Sequence, residues 1–114
     1  MVNKRKLGSQ KEILACTFLE NNGMTIIRTN YLTKSGEIDI IAKEKDILVF
    51  VEVKYRKDTK FGYPEEAVNP KKQRTIRNVA NYYMVTEHLS LESPVRFDVV
   101  AILGNEIKHI RNAF

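Results

Sequence analysis

Acidic residues stand in two stretches of this chain where the pattern calls for burial. Residues 49–55 read Val-Phe-Val-Glu-Val-Lys-Tyr, an apolar run interrupted by Glu52 and Lys54. Side chains alternate faces along a strand, so Glu52 and Lys54 share one face, about 7 Å apart. Upstream, in Gly36-Glu37-Ile38-Asp39-Ile40, the acids Glu37 and Asp39 share a face opposite Ile38 and Ile40. Only Lys43-Glu44-Lys45-Asp46 separates the two apolar runs, a connection short enough for a hairpin. With an even-length turn centred on Lys45 and Asp46, residue 44 faces 47, 43 faces 48 and 39 faces 52. Asp39 and Glu52 are then cross-strand partners with Cβ atoms about 5 Å apart. Two carboxylates so placed repel each other, and a divalent cation removes that cost. Mg²⁺ takes oxygen ligands at about 2.1 Å, usually carboxylates with waters and substrate phosphate. Lys54 then stands ready to hold a hydroxide or a phosphate oxygen.

A third acid comes from the first helical segment. Glu12 lies one turn before Ala15 and Cys16 and two turns before Leu19, at the edge of an apolar stripe. Packed over the sheet, it points at the same spot. Taken singly, a Glu-x-Lys pair on a strand is ordinarily a solvated face, and Glu12 an ordinary helix acid. The combination of Asp, Glu and Lys on one face of the most apolar strands is harder to explain by solvation.

The elements that position these groups follow from periodicity. Residues 7–21 predict a helix, with Leu14, Ala15, Phe18 and Leu19 at helical spacing and Asn21-Asn22-Gly23 as its stop. Strands are expected over 24–32, 37–42 and 47–56. Asn69 caps a second helix with Pro70 in its first turn, its stripe Ile76, Val79, Ala80 and Tyr83, ending near His88. Strands over 95–103 and 106–111 complete the order α-β-β-β-α-β-β. This order predicts an α/β or α+β sandwich around one sheet.

The chain has 114 residues, 43% apolar and 29% charged, which suits a single domain over 1–114. One cysteine excludes an internal disulfide framework. Cys16 reads as a buried thiol, and His88 and His109 lack zinc-ligand spacing with it. No apolar run approaches a membrane span, and Met1-Val2-Asn3-Lys4-Arg5-Lys6 lacks the apolar stretch of a secretory signal. The expectation is a cytoplasmic protein with no membrane partner.

The net charge of +5 is local. Residues 54–77 hold Lys54, Arg56, Lys57, Lys60, Lys71, Lys72, Arg74 and Arg77 against Asp58, Glu65 and Glu66. The remaining 11 basic and 11 acidic residues cancel. Lys71 and Lys72 fall in the first turn of the second helix, the positive end of its dipole, where cations cost about 0.3–1 kcal/mol each. Phosphate contact explains that pair, and Lys72, one turn before Ile76, is placed to reach the acids. For Arg74 and Arg77 taken alone a solvated helix face is the better reading. Phe61 and Tyr63 either stack on a base or close their loop on the domain. Tyr55, opposite Lys54, and Tyr82 and Tyr83 are expected in the core. Asp98 is expected to pair with Arg96 or a backbone donor.

Gly36-Glu37-Ile38-Asp39-Ile40-Ile41-Ala42 together with Val49-Phe50-Val51-Glu52-Val53-Lys54-Tyr55-Arg56 closely resembles the YraN family of small bacterial proteins. Phe61-Gly62-Tyr63-Pro64-Glu65-Glu66-Ala67-Val68, Pro70-Lys71-Lys72-Gln73 and Arg96-Phe97-Asp98-Val99-Val100 extend the resemblance over nearly the whole chain. Lys11 departs from it, standing where the family commonly has Gly before the helix glutamate. The resemblance implies membership of the PD-(D/E)xK nuclease-like superfamily, near the archaeal Holliday-junction resolvases. It implies a restriction-endonuclease-like α-β-β-β-α-β core, α/β with a mixed central sheet flanked by helices. It further implies a catalytic quartet of Glu12, Asp39, Glu52 and Lys54. Asp39 and Glu52 would hold one or two Mg²⁺ or Mn²⁺ ions, with Glu12 on a metal-bound water or a second ion, for hydrolysis of a phosphodiester, with nucleic acid, DNA above all, held by Arg56, Lys57, Lys60, Lys71, Lys72 and Arg74. Resolvase relatives act as dimers; monomer and homodimer both stay open. So does a non-catalytic nucleic-acid-binding module of the same fold serving a repair or recombination partner.

Overall fold

A computed structural model describes residues 4–114, so Met1-Val2-Asn3 of the amino-terminal reading lie outside the described residues. The elements run α1 (Lys4–Asn21), β1 (Thr25–Thr33), β2 (Gly36–Glu44), β3 (Ile47–Arg56), a short 3-10 turn (Pro64–Ala67), α2 (Pro70–Thr86), β4 (Val95–Leu103) and β5 (Glu106–Ile110). This is the order expected from periodicity. One five-stranded sheet holds them in sequence order β1-β2-β3-β4-β5. Only β3 and β4 pair in parallel; the other neighbours are antiparallel. A parallel pair needs a long crossover, and α2 supplies it. The mixed α/β sheet with two helices is consistent with a restriction-endonuclease-like core.

The helices cover opposite faces. Ala15 and Leu19 of α1 pack with Ile40, Ala42, Val49, Val51, Val100 and Ile102. Ile76, Val79, Ala80, Tyr83 and Met84 of α2 pack with Ile38, Ile41, Phe50, Phe97 and Val99. The centre of β3 is therefore buried on both sides, which is why its sequence is an almost continuous apolar run. The Asn69 side chain accepts a hydrogen bond from the Lys72 amide at 2.9 Å, fixing the start of α2 as its sequence implied. Gly36, at φ +150°, lets α2 close on β2: a Cβ there would sit 2.6 Å from Thr75 Cγ2.

The β2–β3 hairpin has the register expected from the turn, with Glu44 opposite Ile47, Lys43 opposite Leu48 and Ile40 opposite Val51. The strict alternation expected along β2 does not hold. Ile38 joins the α2-side core and Ile40 the α1-side core. The chain turns over at Asp39, where the β2–β3 pairing also ends. On the neighbouring strand Asn30 has φ +52°, a left-handed conformation that Asn tolerates better than most residues.

Three smaller expectations fail. Tyr82 is 56% exposed while Tyr83 is buried, because α2 presents one stripe and adjacent residues lie about 100° apart around it. Leu14 is exposed for the same reason, Ala15 and Leu19 taking the inward positions of α1. Cys16 is only partly buried. Arg77 is exposed, as a solvated helix face requires, and its guanidinium lies over the rings of Phe97 and Phe114, at 4.8 and 5.6 Å.

Asp98, on β4 beside Val51, is fully buried and fully bonded. Arg96 donates to both its oxygens at 2.8 and 2.9 Å, the Asn112 amide donates at 3.0 Å, and His109 Nε2 lies at 2.7 Å. Burial alone would raise its pKa; the His109, Arg96 and Asn112 hydrogen bonds outweigh that and hold it at about 2. It thus has both partners that the sequence offered as alternatives. Arg96 continues to Glu44 at 2.9 Å, which Arg111 also binds.

Candidate metal and phosphate site

A cleft of about 400 Å³ opens beside the bend in β2. Glu12, Glu37, Asp39, Glu52, Lys54, Arg56 and Lys72 all line it. Three elements bring the acids there. The first-half face of α1 carries Glu12, the bend of β2 presents Glu37 and Asp39, and the alternation of β3 sends Glu52 and Lys54 to the α2 side. Asp39 is held in place because its Oδ2 accepts the Val53 amide at 2.8 Å, replacing a strand hydrogen bond with a side-chain one.

Glu52 is the least satisfied group. Only 3% of it is exposed. Its Oε1 lies 3.6 Å from Lys54 Nζ and 3.7 Å from Lys72 Nζ. Its Oε2 is buried without a hydrogen-bond partner among the described residues. Burial first, and the neighbouring Asp39 carboxylate second, push its pKa up to about 8, against the lowering pull of Lys72 and Lys54. The same two causes raise Glu12 and Glu37: burial leads, and Asp39 adds repulsion. The Asn30 side chain partly offsets the rise at Glu12, and Lys72 the rise at Glu37.

The structure therefore brings Glu12, Asp39, Glu52 and Lys54 into one cleft. Of the predicted basic residues, Arg56 and Lys72 line the cleft, while Lys57, Lys60, Lys71 and Arg74 are exposed and do not line it. The first-turn pair of α2 thus divides, Lys72 inward and Lys71 outward. Phe61 is 84% exposed and does not close its loop on the sheet. Lys11 sits over the Tyr55 ring at 4.4 Å, so the departure at that position packs a side chain where glycine has none. The sequence reading left out Glu37 and Asn30. Glu37 was visible as the i−2 neighbour of Asp39; Asn30 gave no signal, since its part depends on pairing with β2.

The donor set suits a hard divalent cation, being all carboxylate with no sulfur or imidazole. The buried Oε2 of Glu52, beside a second carboxylate, is a donor atom that could serve such a cation. An α/β protein with a mixed five-stranded sheet, carrying acids and a lysine in one cleft, is the class that fold and site define.

The profile of a family described as "Uncharacterised protein family UPF0102" matches residues 11–102. A UPF0102 protein of Lachnoclostridium phytofermentans is 48% identical over 113 residues, 99% of this chain and 96% of that protein. One from Clostridioides difficile is 45% identical over 115 residues, 99% of this chain and all of that protein. Another, from Thermodesulfovibrio yellowstonii, is 47% identical over 109 residues, 96% of each. This chain belongs to the UPF0102 family, the YraN family of the sequence resemblance.

Proposed function

We propose that this protein is a metal-dependent phosphodiesterase of the PD-(D/E)xK nuclease-like kind, acting on nucleic acid and on branched DNA in particular. The buried, unpartnered Oε2 of Glu52 beside Asp39 carries the reading. Asp39 and Glu52, with the backbone carbonyl at Val53 and with Glu12 beyond, would hold Mg²⁺ or Mn²⁺. When bound, the cation supplies Lewis acidity toward water and a phosphate oxygen. The chain does the rest. The Val53 amide fixes the Asp39 carboxylate at 2.8 Å. Lys54, 3.6 Å from Glu52 Oε1 on the same face of β3, would hold the attacking water or the phosphate. Arg56, Lys57, Lys60, Lys71, Lys72 and Arg74 track the backbone phosphates.

Labelled junction, flap and single-stranded substrates incubated with Mg²⁺ or Mn²⁺ test this. Cleavage by the native chain should fall by at least about 100-fold in Asp39→Ala and Glu52→Ala. Cleavage unchanged in both variants refutes the site. Metal-independent binding without turnover on any substrate moves the protein to the second reading, a nucleic-acid-binding module.

A further inference from the structure

We infer that Phe61 is a stacking platform for an unpaired nucleobase, and that this contact biases the protein toward unstacked strands over intact duplex. The inference rests on the nucleic-acid part of the proposed function and adds a contact outside the cleft. Stacking needs no metal, so the inference holds for the phosphodiesterase and for the binding module alike.

The loop that carries Phe61 has a built shape. The Arg56 carbonyl accepts the Gly104 amide at 2.8 Å, which ties the start of the loop to the turn between β4 and β5. The Lys60 amide donates to Asp58 Oδ1 at 3.0 Å. The Gly62 amide donates to the Thr59 carbonyl at 3.0 Å and closes a four-residue turn with Lys60 and Phe61 at its centre. Gly62, at φ +100°, then sends the chain back at once. The Tyr63 amide donates to Glu66 Oε1 at 3.0 Å, anchoring the far end. The ring is therefore held out at the apex of a hydrogen-bonded turn.

That placement serves nothing in the fold. The centres of such turns ordinarily hold Gly, Pro, Asn, Asp or Ser. Phe61 is the most exposed large apolar side chain among the described residues. Four of the five phenylalanines, Phe18, Phe50, Phe97 and Phe114, each pair with another ring. Phe61 pairs with none among the described residues, and Lys60 Nζ lies 5.8 Å from its centroid. Tyr63 differs, since it lines a depression with Pro64, Leu103 and Ile107.

The surrounding charge selects what covers the ring. Over residues 56–61, Arg56, Lys57 and Lys60 stand against Asp58 alone. A bare aromatic face among cations fits a polyanion that carries flat apolar rings, with Lys60 on a phosphate and Phe61 on the base. Base faces inside a duplex are covered by their neighbours. Single strands, bulges and junctions expose them. Phe61 is five residues beyond Arg56, which lines the cleft, so their Cα atoms are at most about 18 Å apart. A strand leaving the cleft covers that distance in about five stacked nucleotides at about 3.4 Å each.

Binding of the full chain in EDTA to a labelled single strand, and to the same strand in a duplex, tests this by fluorescence anisotropy. Phe61→Ala should weaken single-strand binding about 5- to 150-fold and leave duplex binding within about twofold. Phe61→Tyr should keep the native affinity. Phe61→Leu should not, since leucine keeps an apolar contact and loses the π face. The salt slope of Phe61→Ala should equal that of the native chain, because no phosphate contact is removed. All three variants should unfold at the native temperature, as the ring lies outside the core. Single-strand affinity unchanged in Phe61→Ala overturns the inference and leaves the proposed function standing. Native affinity in Phe61→Leu overturns stacking, and an equal loss on strand and duplex overturns the bias toward unstacked bases. No binding of either nucleic acid by the native chain removes this inference and the proposed function together.

Discussion

Glu52 and Asp98 are both carboxylates buried in adjacent parallel strands, yet they have opposite electrostatic fates. Asp98 receives hydrogen bonds at both oxygens from Arg96, His109 and the Asn112 amide, and its pKa falls to about 2. Glu52 has two ammonium groups on one oxygen, nothing on the other and an acid beside it, and its pKa rises to about 8. Burial is similar, so burial does not decide the difference; partners do. A satisfied buried acid holds the β4–β5 end of the sheet together. An unsatisfied one is kept at the expense of stability, which is the mark of a binding site.

The contrast is sharpest in stability. Asp98→Asn breaks the buried hydrogen-bonded pairing with Arg96 and His109 and should cost about 3–5 kcal/mol in chemical denaturation. Glu52→Gln should be close to neutral without metal, since with a pKa of about 8 Glu52 is already largely uncharged at neutral pH. A comparable loss in both variants would break the comparison.

Metal should act on one carboxylate only. Mg²⁺ or Mn²⁺ at 100 times its dissociation constant should add about 2.7 kcal/mol to native stability. Asp98→Asn should keep that increment and Asp39→Ala should lose it, as read by thermal unfolding with and without EDTA.

The pH profiles should slope in opposite senses. Asp98 has a depressed pKa, so its contribution, on the order of 2 kcal/mol, is present above pH 3.8 and lost as pH falls toward 2. Glu52 has a raised pKa, so the metal-free protein should gain stability as pH falls from about 8 toward 4.5, where the native state holds the extra proton. Glu52→Gln should flatten the second window alone, and Asp98→Asn the first.

The smallest effect concerns the divided lysine pair. Lys71→Ala should lower the slope of log binding constant against log salt on duplex DNA by about 0.9, with metal affinity unchanged. Lys72→Ala should change metal affinity as well, because it also removes a cation from Glu52. Identical behaviour of the two variants would show that the inward and outward positions are not distinct.

Much of this contrast was legible before the fold was known. A period of two is enough to place Glu52 with Lys54, and a four-residue connection is enough to set Ile40 opposite Val51. The cap at Asn69 and the inward stripe of α2 likewise follow from local chemistry. The same rule misplaced Ile38 and Ile40 because alternation assumes an even strand, and β2 turns over at Asp39. Tyr82 was misplaced because aromatic character does not say which side of a helix faces the sheet.

The amino-acid sequence by itself determined the element order, the hairpin register, the shared face of Glu52 and Lys54 and the inward position of Lys72, since these depend on neighbours a few positions away. The tertiary structure alone decided that Ile38 and Ile40 enter opposite cores and that Glu37 joins Glu12 and Asp39. It also decided that Asp98 is satisfied where Glu52 is not. Those outcomes depend on groups far apart in the chain, and only packing the two helices on opposite faces of one twisted sheet sets their distances.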